Sequence, residues 1–192
     1  MQKMNFNEEQ EFERQWWGDC RNTYGEETKQ FVYAKYMGLE VSDYSIDVKG
    51  KSIVDIGGGP CSLLLKCKNL SNAIVVDPCL YPQWIYKRYL GCKIDPIICI
   101  GENIINTTAD EVWIYNCLQH TKNPKRIIEN TKKIAPVLRI FEWIDIPPHK
   151  GHPHMLNEDD LTRWIDRDGD IHIDILSGEG QCFGRFYAGV FK

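Results

Sequence analysis

The sequence predicts an α/β fold: a doubly wound, mostly parallel sheet of seven strands, ending in an antiparallel hairpin and preceded by an N-terminal helical cap. Three observations predict it. From Lys51 onward, short β-rich runs alternate with helical segments, and a repeated strand–helix–strand order calls for parallel pairing through right-handed crossovers. The runs are almost continuously apolar, as strands covered by helices on both faces must be. At the C-terminus the alternation stops, and two strand-like runs follow each other across the Gly-rich stretch SGEGQCFG, which reads as an antiparallel pair at the sheet edge.

The strand candidates, in order, are Ser52–Ile56, Ala73–Asp77, Pro96–Ile100, Glu111–Asn116, Leu138–Ile144, Ile171–Leu176 and Arg185–Phe191. Helices are predicted for Ser62 to Leu70, Tyr81 to Leu90 and Pro124 to Ala135, the last with Asn123 as N-cap and Pro124 at its first position. A further helix starts at Asn157. Asp160 stands at the capping-box spacing, and Leu156 and Leu161 are placed as a hydrophobic staple. Residues 1–50 carry no convincing strand and two helices. Thr23 with Glu26 fits a capping box, Phe31, Ala34 and Tyr36 or Met37 form an apolar stripe, and Gly38 is placed to stop the helix. The expected organisation is therefore a cap or lid over 1–50 and a cofactor-binding domain over 51–192, folding as one globular unit because 50 residues bury little alone.

Composition narrows the function classes. The formal net charge is -4, and the basic run from Lys122 to Lys133 is interrupted by apolar residues and Glu129. Nucleic-acid binders need a basic footprint to neutralise phosphates, so no nucleic-acid partner is expected. The charged N-terminus has no apolar signal core, and no run approaches the ~18 apolar residues of a membrane span. The eight cysteines form no C-x-x-C pair, and several lie in apolar runs where a thiol acts as a small hydrophobe. A cytoplasmic protein with no membrane partner is expected.

The chemistry concentrates in KSIVDIGGGPCS, Lys51 to Ser62. A buried strand runs into Gly57, Gly58 and Gly59. Glycine accepts positive φ there and lets a ligand approach the backbone. A helix beginning after the turn would offer free N–H groups to a carboxylate or phosphate. Asp77, ending the next strand, suits a carboxylate that accepts both hydroxyls of a ribose. A nicotinamide dinucleotide would call for a third glycine at Ser62, which is absent.

An acid two residues before the glycines, D-x-G-x-G at a strand end, resembles motif one of the class I S-adenosylmethionine-dependent methyltransferases, a Rossmann-like family. The resemblance covers roughly Lys51 to Trp143, with Cys61 in place of a third glycine. It implies S-adenosyl-L-methionine as cofactor and the sheet order 3-2-1-4-5-7-6. Asp55, Gly57, Gly58 and Gly59 would cradle the methionine part, and Asp77 with Pro78 would hold the ribose. Ile100, Gly101, Glu102 and Asn103 would contact the adenine, and Asn116 and Cys117 would line the place of methyl transfer.

On the acceptor side His120 and Asn116 are the catalytic candidates, since His120 follows strand four and a base near neutral pH suits a nucleophile that sheds a proton. PPHKGHPH places His149 and His152, with His154, on the ligand-binding edge of the sheet. No metal is expected there, because no acid or cysteine completes a family spacing. Trp17, Asn22 and Tyr24 are lid candidates. The expected activity is methyl transfer to a small molecule. The rival readings are a non-catalytic or cofactor-cleaving S-adenosylmethionine-binding protein and an NAD-dependent oxidoreductase; self-association is left open.

Overall fold

A computed structural model describes residues 6–104 and 106–192, so the first five residues of the expected cap lie outside the described ones. Two helices, α1 (Phe6–Trp17) and α2 (Tyr24–Tyr36), precede the short strands β1 (Val41–Ser42) and β2 (Ser45–Asp47). Then come β3 (Ser52–Ile56), β4 (Cys67–Lys68), β5 (Asn72–Asp77), α3 (Gln83–Gly91), β6 (Asp95–Ile98) and β7 (Glu111–Tyr115). The chain continues through α4 (Pro124–Ile134), β8 (Val137–Trp143), α5 (Glu158–Ile165), β9 (Gly169–Ser177) and β10 (Phe183–Phe191).

Seven strands form the main sheet in the order β6-β5-β3-β7-β8-β10-β9. The first five pair in parallel, and β10 runs antiparallel to both β8 and β9. This is the predicted doubly wound architecture with its C-terminal hairpin. Alternate residues of each strand serve opposite faces, and each face has its own core. On one side Tyr33 and Met37 of α2 and Ile85 and Tyr89 of α3 pack with Trp113, Phe141 and Phe186. On the other, Ile127 and Ile128 of α4 and Leu161 and Ile165 of α5 cover Val54, Val112, Ile140 and Tyr187.

Several local signals act as read. Asn123 accepts from the Arg126 N–H at 3.0 Å, and Asn157 exchanges two hydrogen bonds of 2.8 Å with Asp160 beside the buried Leu156 and Leu161. Gly38, at φ +67, ends α2 by donating to Lys35 O at 3.0 Å while Leu39 N reaches Ala34 O at 2.9 Å, a Schellman arrangement. Other expectations are corrected. The helix over Ser62 to Leu70 is absent, replaced by one-turn 3-10 segments at Gly59–Cys61 and Leu63–Lys66 that lead into β4. Ser62 is extended (φ -48, ψ 146), which interrupts a helix at its first position, and pairing of β4 with β2 draws the chain into a strand after Lys66. The N-terminal fifty residues do contain strands: β1 and β2 form a small second sheet with β4. Thr23 makes no capping bond and donates instead to Glu27 at 2.6 Å, which frees Glu26 for another use.

One buried ion pair fastens α2 to the sheet. Arg139 on β8 grips Glu111 of β7 through Nε at 2.7 Å and Nη2 at 3.1 Å, and its Nη1 donates to Met37 O at 2.7 Å. Trp113 Nε1 and Lys51 also donate to Glu111. Burial opposes ionisation of Glu111, yet these donors outweigh it and hold its carboxyl down at about 2. Replacing Arg139 by leucine should lower the unfolding free energy by about 3–5 kcal/mol, the scale for stranding one partner of a buried pair. Urea denaturation reads this directly, and a loss under ~1 kcal/mol would mean that Lys51 and Trp113 suffice.

Candidate functional site

Parallel strands deliver their C-terminal ends to one edge of the sheet, where ligands of doubly wound folds sit. At that edge a cavity of about 530 Å³ opens between the exits of β3, β5 and β7, roofed by α1 and the 146–152 loop. The volume is that of a small-molecule site.

The β3 exit is a tight turn. Gly57 has φ +79, and a methyl group added there would lie 2.1 Å from Cys117 Sγ. Gly58 is closed by Asp55 and Val75, whereas a methyl group on Gly59 would find only Trp17 and Tyr81, both at 3.8 Å, so Gly59 is the glycine facing open space. Asp55 lies beneath the turn, fully buried, accepting from Ser62 Oγ and Tyr115 OH. Burial pushes its carboxyl up to about 7 against those two bonds. Four of the amides around the turn, expected to be bare, are already bonded. Gly57 N donates to Val76 O at 2.7 Å, Gly59 N to Asp77 at 3.1 Å, Ser62 N to Tyr89 OH at 2.9 Å and Leu63 N to Tyr115 OH at 2.9 Å. With no regular helix following, there is no helix dipole either.

Asp77 ends β5 at the cavity wall. Besides Gly59 N it accepts from Cys79 N at 2.9 Å and from Tyr81 OH at 3.0 Å. A carboxylate has about four acceptor sites, so one remains, and the Tyr81 hydroxyl is a rotatable donor that can yield another. Burial raises the Asp77 carboxyl above its ordinary value.

The β7 exit carries Asn116, Cys117 and His120. Asn116 sits at φ +49, takes a bond from Gln119 at 2.9 Å and donates to Glu26 of α2 at 3.3 Å. The loop is held from below by Glu142 of β8, fully buried, which accepts from Cys117 N at 3.0 Å and Leu118 N at 3.1 Å. Burial pushes Glu142 up to about 7 against those bonds.

His120 faces the roof. Its Nδ1 lies 2.7 Å from Gly151 O and 3.0 Å from Glu13 Oε1 of α1, which assigns the proton to Nδ1 and leaves Nε2 as the basic atom. Burial resists protonation of His120, but Glu13 and Gly151 outweigh it and raise its value. His152 packs edge-on against the His120 ring at 4.4 Å and beside His149 at 4.1 Å. Burial, then the charges of its two neighbours, depress His152 to about 3. Gly151 is pinned under Phe12, whose ring would meet an added methyl group at 2.6 Å.

Of the sequence-derived candidates, Gly57, Gly58, Gly59, Asp77, Pro78, Gly101, Glu102, Asn116, Cys117, His120, Trp17, His149 and His152 meet at this cavity, and Ile100 joins them. Five are placed elsewhere. His154 turns to Thr121 O at 2.7 Å. Asp55 supports the turn from behind, Asn103 is exposed in the turn after β6, and Asn22 and Tyr24 lie on the surface outside the wall. Among the described residues no group of three His, Cys, Asp or Glu side chains is placed to hold a metal. Wall residues without a sequence signal include Glu13, Lys29, Tyr81, Ile146, Lys150 and Phe183. Each reaches the cavity through packing of elements distant in sequence.

No protein-family model matches this chain, and no curated protein matches it in sequence. Solved structures do match in fold. An S-adenosylmethionine-dependent methyltransferase of Thermotoga maritima superposes with TM-score 0.60 at 11% identity, over 97% of this chain and 98% of its own. The magnesium protoporphyrin IX methyltransferase of Synechocystis PCC 6803, solved with bound S-adenosylmethionine, gives 0.62 at 13% over 96% and 97%. An N-methyltransferase of Bradyrhizobium japonicum in complex with S-adenosylhomocysteine gives 0.59 at 11% over 85% and 86%. The fold is that of the class I S-adenosylmethionine-dependent methyltransferases.

Two outcomes are expected from this geometry. Because Glu142 holds its proton more tightly folded than unfolded, stability should fall as pH rises from its ordinary value of 4.5 to about 7, with a slope of up to about 1.4 kcal/mol per pH unit. Glu142→Gln keeps an acceptor for the Cys117 amide and should flatten that slope in urea denaturation at about pH 5 and about pH 7.5; an unchanged slope means Glu142 does not titrate in this window. Glu13→Gln should lower the His120 titration midpoint, followed by imidazole NMR, and a midpoint that stays put would show that Gly151 alone sets it.

Proposed function

We propose that this chain is a cytoplasmic S-adenosylmethionine-dependent methyltransferase acting on a small molecule. One observation carries the reading: an open glycine, Gly59, is hydrogen-bonded through its N–H to a strand-end carboxylate, Asp77, at the cavity wall, in the fold described above. The residues present fit the cofactor. Asp77 keeps acceptor capacity for a sugar hydroxyl, with Tyr81 as a displaceable donor. Ile100, Gly101 and Glu102 border the cavity beside it, where an adenine would lie. Glu102 is held rigid by Asn123 N at 2.8 Å and, through its carbonyl, by Asn130 at 2.9 Å.

When bound, the cofactor supplies a methyl group on a cationic sulfur, whose transfer depends on alignment and exclusion of water. The protein provides both. Asn116 and Cys117 are immobilised by Gln119 and Glu142, and α1 with Phe12 and Trp17 roofs the cavity. His120 offers a free Nε2 to an acceptor that must release a proton. The cavity volume of about 530 Å³ and the net charge of -4 support a small acceptor over a nucleic acid. Among the described residues no helix is long and apolar enough to cross a membrane.

Asp77→Asn should weaken S-adenosylhomocysteine binding by about 1–3 kcal/mol, roughly tenfold to a hundredfold, in isothermal calorimetry. The amide oxygen can still accept from Cys79 N and Tyr81 OH while the NH2 faces the Gly59 N–H, so urea denaturation of the variant, run beside the calorimetry, separates loss of the turn from loss of the ligand contact. Wild-type protein that gives no heat with either S-adenosylmethionine or S-adenosylhomocysteine would overturn the reading.

A further inference from the structure

The amide accounting leaves a gap at one end of the cavity. A ligand with a free amino-acid end brings an ammonium and a carboxylate, and burying either without a partner costs several kcal/mol. Two of the donors expected after the turn are already used, Ser62 N by Tyr89 and Leu63 N by Tyr115, and Gly59 N is bonded to Asp77. Asp55, expected to help cradle the methionine part, is sealed beneath the turn. Opposing charges at that end must come from elsewhere in the fold.

They come from α2. Gln30 donates to Cys61 O and so docks this helix against the glycine turn. On the preceding turn Glu26 and Lys29 both line the cavity. Glu26 Oε1 accepts from Asn116 Nδ2 at 3.3 Å, and its Oε2 faces Lys29 Nζ at 3.4 Å. Glu26 is spared from capping, since Thr23 is bonded to Glu27. The two side chains are 19% and 35% exposed, so Glu26 is fixed inward and Lys29 stands at the rim. A neighbouring acid and base, three residues apart on one helix face, present to a zwitterion the two charges it needs. The Tyr33 hydroxyl beneath, buried without a hydrogen-bond partner, is pushed up by burial and then by the Glu26 charge.

We infer that Glu26 and Lys29 form the subsite for a ligand's α-amino acid group, Glu26 taking the ammonium and Lys29 the carboxylate. The inference rests on the function proposed above and assigns to α2 what the turn after β3 does not supply. It makes α2 a ligand-reading element as well as a packing one.

The test compares two nucleosides that differ at this end. Calorimetry is run with S-adenosylhomocysteine and with 5′-methylthioadenosine, which lacks the amino-acid group, on wild type, Glu26→Gln and Lys29→Met. Wild type should prefer S-adenosylhomocysteine. Each variant should lose that preference by about tenfold to a hundredfold, the scale of one charge-assisted hydrogen bond, with 5′-methylthioadenosine affinity unchanged. If both nucleosides weaken together, or S-adenosylhomocysteine affinity is untouched, the assignment is overturned while the cofactor reading stands; in that case Glu26 faces the acceptor. If neither nucleoside binds wild type, the cofactor reading itself falls.

Discussion

The edge of the sheet is held by carboxylates, fully buried at Asp55 and Glu142 and partly buried at Asp77. Asp55 on β3, Asp77 on β5 and Glu142 on β8 each sit at or under a strand exit and accept hydrogen bonds from the loop above. Loops at this edge cannot leave N–H groups unpaired in a dry interior, and a carboxylate can serve two or three donors at once. The cost is desolvation, which raises all three groups above their ordinary values. Their bonds recover part of that cost and leave the three exits with one arrangement. The cavity is the space those fixed exits enclose.

The roof is assembled differently. α1 has no strand to anchor it and attaches through side chains that span the cavity: Gln10 to Cys79, Phe12 on Gly151, Glu13 to His120 and Trp17 near Gly59. Each of these contacts lands on a different exit loop. The roof therefore depends on the loops being in place first, and His120, gripped by both Gly151 and Glu13, is the joint between wall and roof. The same contacts hold the imidazole in one orientation, so the group best suited to take a proton is also a structural pin.

The small sheet of β1, β2 and β4 accounts for what replaces a helix after the glycine turn. Ile46 pairs with Cys67 and Asp47 with Lys68 in parallel, which draws the chain out of helical geometry directly after Lys66. Tyr89 and Tyr115, from α3 and β7, then reach in and take the amides a helix would have used. The loss of a dipole at the turn and the appearance of charged side chains from α2 are two consequences of the same rearrangement.

Much of this was legible in the sequence. The strands of the main sheet were placed within one to two residues at most of their ends, because apolar runs bounded by glycine, proline and asparagine carry their own period. Capping at Asn123 and Asn157 and the stop at Gly38 are local chemistry and were readable for that reason. The glycine turn and the strand-end position of Asp77 were readable because positive φ at Gly57 and Gly59 and a tight strand exit call for particular residue types. What only the tertiary structure decided involves groups whose partners are far along the chain. Three adjacent leucine positions are compatible with a helix until the pairing of β4 with β2 draws the chain into a strand. Thr23 could cap with Glu26 until Glu27 offered a better bond. Asp55 lies fully buried, bonded to Ser62 of the turn and Tyr115 of β7, partners that its place in the motif does not reveal. Glu13, Lys29 and Tyr81 carry no mark at all, since a side chain's reach into a cavity depends on which elements pack together, and that information lies in contacts, not in spacing.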